Sequence, residues 1–263
     1  MNKDLEDRYL SVIEDNVNVG KTSDLKEFGI LVSGIVGLCV AIYFCAGLVA
    51  NVWIDRMSNE TQLKIESALA LVSSHLKTED VVNDKIKYLE TVKPKIVAMD
   101  KKLQGKSKFP IYVDKNSEVN AYITPNGTIY FTSGMLKEVD DNEALTFVLA
   151  HELAHYAHRD HLKGIGRELI AGVVLFAITA GQADLSKLTS HIAVLNSNIY
   201  SQKQEKAADL YANNVVLKLF GSNDGAIKFF KLMQKKVDVA EFLYYFSTHP
   251  APSDRIKLLQ NAK

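Results

Sequence analysis

The stretch Ala150-His151-Glu152-Leu153-Ala154-His155-Tyr156 decides how this chain is read. Two imidazoles stand four residues apart with a carboxylate beside the first. On an α-helix, positions i and i+4 share one face, so both rings can reach the same ion. The neighbouring carboxylate then points at a water on that ion and can take its proton. With seven His and fourteen Glu in 263 residues, chance would produce the pattern in about one shuffled chain in a hundred. The flanks supply the support it needs. Between Thr146 and Ala157 the only charge is Glu152, which a solvated surface helix would not tolerate. Burying that carboxylate without a partner costs several kcal/mol, so a metal or a hydrogen-bond donor must lie near it. Asp140, Asp141 and Asn142 offer N-caps before the apolar run.

This is the local chemistry of zinc-assisted peptide hydrolysis. A hydrolytic zinc takes three protein ligands and keeps an open position. Two residues compete for the third place. His161 has the spacing of the metzincin signature, but those proteins need Gly where this chain has His158, and the first Gly after the motif is Gly164. Glu205, in Gln204-Glu205-Lys206-Ala207-Ala208-Asp209, shares a helix face with Asp209. Glu205 can ligate zinc while Asp209 accepts a hydrogen bond from the far ring nitrogen of a ligand His, fixing its tautomer. The competing reading puts both acids on a wet helix face beside Lys203 and Lys206. Glu205 is the preferred third ligand. His158 and His161 are then expected past the site, facing solvent or backing a ligand, and His75 and His191 carry no signal above background.

Four stretches together are far more specific than any one. They are Asn120-Ala121-Tyr122 through Pro125-Asn126-Gly127 to Ser133-Gly134-Met135-Leu136, the His-Glu-x-x-His helix, Glu205-x-x-x-Asp209, and His249-Pro250 with Arg255-Ile256. In order and spacing, over roughly residues 60–263, they resemble the membrane-associated gluzincin family of HtpX and the CAAX prenyl proteases. The resemblance implies one zinc on His151, His155 and Glu205, Glu152 as general base, and a supporting role for Asp209. One departure stands out: many relatives have Ser-Arg before the Glu ligand, whereas Ser201 is followed here by Gln202. That removes a cation near the site and touches no ligand.

The remaining candidates are read from the residues. Val119–Ile123 and Thr128–Phe131 are β-prone runs joined by Thr124-Pro125-Asn126-Gly127, a hairpin. Asn120, Ala121 and Tyr122 would line a sheet edge on which a substrate adds as a strand; the plainer alternative is a hairpin that only packs on the helix. His249 precedes a helix running from Pro252 through Arg255 to Gln260. It would steady an oxyanion or occupy the open zinc position at rest, or else be a satisfied His at a turn. Arg255 would pair with Asp209 or Glu205, or lie on the helix surface.

The expected fold class is α+β: a mostly helical, zincin-like metallopeptidase domain with a small β-sheet, over residues 59–263, preceded by one transmembrane helix. Phe28–Ile54 holds no charged residue in 27 positions, enough to span a bilayer core of about 30 Å. Residues 1–27, with seven acids against four Lys or Arg, read as a polar tail, flexible or partly helical. Two helices are expected over 59–104, broken near Lys77–Asp80 and bent at Pro94. Leu169–Ala183 is a second uncharged run, short for a span and expected as a buried or membrane-touching helix. Positive flanks nearly balance; Lys3 and Arg8 tilt the N-terminus towards the cytoplasm and the catalytic domain to the periplasmic side.

Zero formal charge gives no electrostatic case for nucleic acid. Cys39 and Cys45 both lie inside the apolar span, so no disulfide framework exists. The expected function is a membrane-anchored zinc metalloendopeptidase acting on protein or peptide substrates, misfolded or membrane-associated proteins among them. Membrane lipid is the other partner, and the oligomeric state is open. A CAAX-type prenyl peptidase is disfavoured, because those enzymes enclose substrate in many membrane helices. The rival is a non-catalytic, membrane-anchored chaperone or scaffold with a protease-like fold.

Overall fold

A computed structural model describes residues 3–14, 24–72, 83–106, 108–179, 200–236, 249 and 252–262. The chain divides into two compact units, Met1–Cys45 and Ala46–Lys263. In the first, helix α1 (Lys3–Glu14) gives the polar tail a helical segment. Helix α2 (Asp24–Arg56) contains the expected span and continues into the second unit. Its large side chains, Leu31, Leu38, Phe44 and Leu48 among them, are exposed. In length and composition it is suited to cross a membrane and supports membrane localisation.

The second unit is organised around helix α6 (Asn142–Ala157), which carries the His-Glu-x-x-His motif. Asp141 caps it, accepting hydrogen bonds from the backbone N–H groups of Glu143 at 2.9 Å and Ala144 at 3.2 Å. Every residue from Ala144 to Ala157 is buried. That is what a sequence with a single charge, Glu152, and no polar stripe requires: all sides of the helix must be covered. The cover comes from α8 (Gln202–Phe220), α9 (Asp224–Lys235), α4 (Asp84–Met99) and one edge of the sheet. Helix α9 turns Ile227, Phe229, Phe230 and Met233 inward, and α10 (Pro252–Asn261) packs against α8 and α9.

The sheet has three short strands in the order β1-β3-β2: β1 (Ile111–Asp114), β2 (Ala121–Ile123) and β3 (Ile129–Thr132). The hairpin is present, with β2 antiparallel to β3 and Ala121 opposite Phe131. Gly127 at φ 81° closes it, donating its N–H to Thr124 O at 2.9 Å. Strand β1, parallel to β3, escapes the sequence reading because four residues after Phe109-Pro110 carry too little periodicity to stand out.

Helices α3 (Asn59–Val72) and α4 match the expected pair, and α4 runs on through Pro94. The break near Lys77–Asp80 lies outside the described residues. Helix α7 (Asp160–Ile178) carries the second apolar run. Leu169, Val173, Leu175 and Phe176 are exposed, which sets aside the buried alternative and leaves the membrane-touching one; the run's residues beyond Thr179 lie outside the described segments.

One close approach fixes how β3 feeds into α5 (Ser133–Glu138). A Cβ at Gly134 would stand 2.1 Å from Ser117 O and 2.5 Å from Glu118 O, both backbone atoms. The space exists only for glycine. Gly134→Ala is therefore expected to destabilise the fold by about 1–3 kcal/mol, as for overpacking in a rigid core, read as a lowered midpoint in denaturant unfolding.

Candidate active site

Successive turns of α6 carry His151 and His155 on one face, with ring Nε2 atoms 3.0 Å apart. Helix α8 brings Glu205 to them. Its Oε2 lies 3.5 Å from His151 Nε2, and its Oε1 lies 3.3 Å from His155 Nε2. Ser201 and Gln204 form the capping box that starts α8 at this point and so sets where Glu205 falls. His249 joins from the segment before α10, with Nδ1 2.9 Å from Glu205 Oε2. One donor atom from each of these four residues lies within 4.8 Å of the others, and all four side chains are buried.

Each imidazole of the motif has its own carboxylate behind it. Asp209, one turn beyond Glu205, sits with Oδ1 3.0 Å from His151 Nδ1. Asp160 sits with Oδ2 3.0 Å from His155 Nδ1. Asp160 is held in turn by Gln204, whose side-chain amide donates to its other oxygen at 2.9 Å. Arg255, on α10, donates from Nε to Asp209 Oδ2 at 2.7 Å, and its guanidinium carbon lies 4.4 Å from the centre of the Phe230 ring. Tyr200 stacks on His155, ring centres 3.6 Å apart.

The sequence reading missed Asp160 and Tyr200. A five-residue separation from His155 is not a helix-face spacing. It works because α6 ends and Arg159 takes a left-handed conformation, φ 58°, turning α7 back so that its first residue faces His155. Glu205 and Asp209 are each 1 % exposed, while Lys203 and Lys206 remain on the surface, which removes the wet-face alternative for the two acids.

His161 lies elsewhere. Its Nε2 is 3.1 Å from Glu66 Oε1, and its ring stacks on Tyr156 at 5.2 Å. It is buried in a separate polar cluster with α3, so it neither faces solvent nor backs a ligand, contrary to expectation. His158 caps α6 and meets the Tyr211 ring edge-on. His75 and His191 lie outside the described residues. On the sheet, β2 is an edge strand lying against α6. Asn120 donates its backbone N–H to the Thr132 hydroxyl and accepts the Thr132 N–H on its carbonyl, Ala121 is buried, and Tyr122 stacks on Tyr130 and donates to Asp114 at 3.1 Å.

The electrostatics follow from burial. Burial pulls His151 down to about 4. It acts the same way on His155, but the hydrogen bond with Asp160 and the adjacent Glu205 carboxylate overcome it and raise that ring to about 9. Burial lifts Glu152 to about 7, opposed by the charges of His155 and His249. Burial also works against ionised Glu205, yet the surrounding imidazoles hold it well below the carboxylate range. Asp209 falls to about 2 against its burial because of the Arg255 charge and the His151 hydrogen bond.

Two imidazoles, a carboxylate and a third imidazole converging on one point suit zinc in donor type and number. Glu205 Oε1 is buried with no hydrogen bond, an orphan that an ion would satisfy. Glu152, on the same helix, accepts no hydrogen bond among the described residues and is 3 % exposed.

A buried His-Glu-x-x-His helix completed by a glutamate from a second helix defines the metallopeptidase class. The chain belongs to peptidase family M48, whose model matches residues 86–263, and zinc is the metal on which that family depends. It is 27 % identical to Mitochondrial metalloendopeptidase OMA1 of Schizosaccharomyces pombe over 66 % of this chain and 51 % of that one. It is 30 % identical to Protease HtpX of Legionella pneumophila subsp. pneumophila over 58 % of this chain and 49 % of the relative. A Putative beta-barrel assembly-enhancing protease of Vibrio cholerae is 24 % identical over 68 % and 39 % respectively. The chain thus spans about half or less of the length of these relatives.

Two outcomes follow from the geometry. Asp160→Asn and Asp209→Asn should each weaken zinc binding about 10–100-fold, measured by competition with a chromophoric chelator. Metal binding needs a neutral His155, which without metal keeps its proton up to about pH 9. Zinc uptake at pH 7 should therefore release about one proton per ion, and affinity should rise with pH towards 9. Calorimetry in buffers of different ionisation enthalpy reads both.

Proposed function

We propose that this protein is a membrane-anchored, zinc-dependent endopeptidase that hydrolyses peptide bonds in protein substrates. The observation carrying the proposal is the Glu152 carboxylate: buried beside the His151–His155–Glu205 cluster, and unclaimed by any hydrogen bond among the described residues. A purely structural metal site has no use for such a group. His151, His155 and Glu205 would hold the ion, whose bound chemistry is Lewis-acid polarisation of a carbonyl and acidification of a water.

The protein's own groups do the rest. Glu152 takes the proton of the attacking water and returns it to the leaving amine; its burial-raised affinity for a proton suits both transfers. Asp160 and Asp209 hold the ligand imidazoles in one tautomer and orientation. Arg255 fixes Asp209 and balances the negative charge of the two acids on α8. His249, in contact with Glu205, closes the fourth side of the cluster at rest and, once displaced by substrate, donates to the developing oxyanion. The edge strand β2 beside α6, with Asn120, Ala121 and Tyr122, receives the substrate as an added strand.

Only Met57 and Ser58 separate α2 from α3, so the catalytic unit is tethered close to the bilayer. Misfolded or membrane-associated proteins are the substrate class this tether favours. The slight Lys3 and Arg8 bias favours the extracytoplasmic, periplasmic face for the site.

Glu152→Gln keeps the ligands and removes only the base. It should retain zinc while lowering hydrolysis of an unfolded protein or quenched-fluorescence peptide about 10²–10⁴-fold. Undiminished hydrolysis in that variant would contradict the mechanism. Binding of unfolded protein without turnover in wild type would favour the scaffold.

A further inference from the structure

A cavity of about 610 Å³ lies on the far side of Asp160 from the metal cluster. Its wall takes in the last turns of α2 (Asn51 and Asp55), the start of α7 and the N-terminus of α8. Seven of its lining side chains are Lys or Arg, against two acids, Asp55 and Asp160.

The acids are already engaged. Asp55 pairs with Lys163 at 2.7 Å, and Asp160 is held by His155 and Gln204. Arg159 is also committed, donating to Ile54 O at 2.6 Å and to Gln62 Oε1 at 2.7 Å. Lys106 donates to Gln62 at 2.8 Å. Lys101, Lys102, Arg167 and Lys203 line the same space and make no ion pair among the described residues. The N-terminal turn of α8 adds its positive dipole end through Ser201 and Lys203. Crowding of cations is already felt: burial, then the Arg159 charge, bring Lys106 down to about 8.

We propose that this cavity binds a phosphate-bearing anion. Uncommitted cations around a concave space leave a positive field that an oxyanion relieves, and phosphate is the common anion able to accept from several at once. Position favours a phospholipid headgroup as the source. Asn51 and Asp55 sit in the last turns of the apolar helix α2, the part of a membrane-crossing helix that meets the headgroups. Helix α7 leaves the cavity from Lys163 and Arg167 into the exposed apolar residues Leu169, Val173 and Phe176. Charged groups at one end and apolar ones at the other match the polarity gradient of a membrane surface. A soluble phosphate would satisfy the same cations. This inference does not depend on the peptidase reading.

The test uses the full zinc-loaded chain, reconstituted with phosphatidylcholine and phosphatidylglycerol and then released into neutral detergent. Native mass spectrometry counts the lipids retained, with added pyrophosphate as competitor. Preferential retention of phosphatidylglycerol, reduced about tenfold or more in Lys102→Gln/Arg167→Gln/Lys203→Gln, supports a headgroup site. Pyrophosphate binding without lipid preference, lost in the same variant, supports the site with a soluble ligand. No preference and no pyrophosphate binding, or equal behaviour of wild type and variant, would overturn the proposal. Lys203→Gln alone, at an exposed position, repeats the comparison should the triple variant fold poorly, with a smaller loss expected.

Discussion

The structure depends on one constraint: α6 is buried on every side yet carries two imidazoles and a carboxylate. Polar groups in such a place must be hydrogen-bonded, charge-paired or bound to an ion. The arrangement of α8 and α10 answers that demand. Glu205 comes to the Nε2 side of both rings, Asp209 and Asp160 come to the Nδ1 side, and Arg255 balances the acids. The caps and turns that fix these approaches, Asp141, Arg159 and the Ser201–Gln204 box, are the structural counterpart of that electrostatic demand.

How far the sequence could be read follows from where each signal lies. The motif helix, Glu205 and Asp209 were legible because i, i+4 spacing puts chemistry on one face whatever the tertiary fold. The hairpin was legible because Pro-Asn-Gly separates two β-prone runs. Asp160 was not, since its contact with His155 depends on a left-handed Arg159, a conformation no local propensity predicts for arginine. Strand β1 was too short to announce itself. His161 misled in the opposite way: its spacing suggested a ligand, and only the packing of α3 shows that Glu66 takes it.

That second buried cluster has its own consequence. Glu66 accepts from Tyr156 and Gln62 and faces His161, while Arg159 donates to the Ile54 carbonyl in the last turn of α2. The C-terminus of α6 is thereby tied to α3 and to the last turn of the membrane-suited helix. Arg159 clasps that turn and Asp160 supports the His155 imidazole. Adjacent residues of one turn thus hold the last turn of α2 and the His155 ring.

The most direct test of the central claim is bound zinc per chain in wild type, Glu205→Ala and His161→Gln. About one equivalent in wild type, lost in Glu205→Ala and kept in His161→Gln, is the expected result for a site closed by Glu205. Zinc kept in Glu205→Ala and lost in His161→Gln would contradict the ligand set, and with it the account of how α8 completes the site.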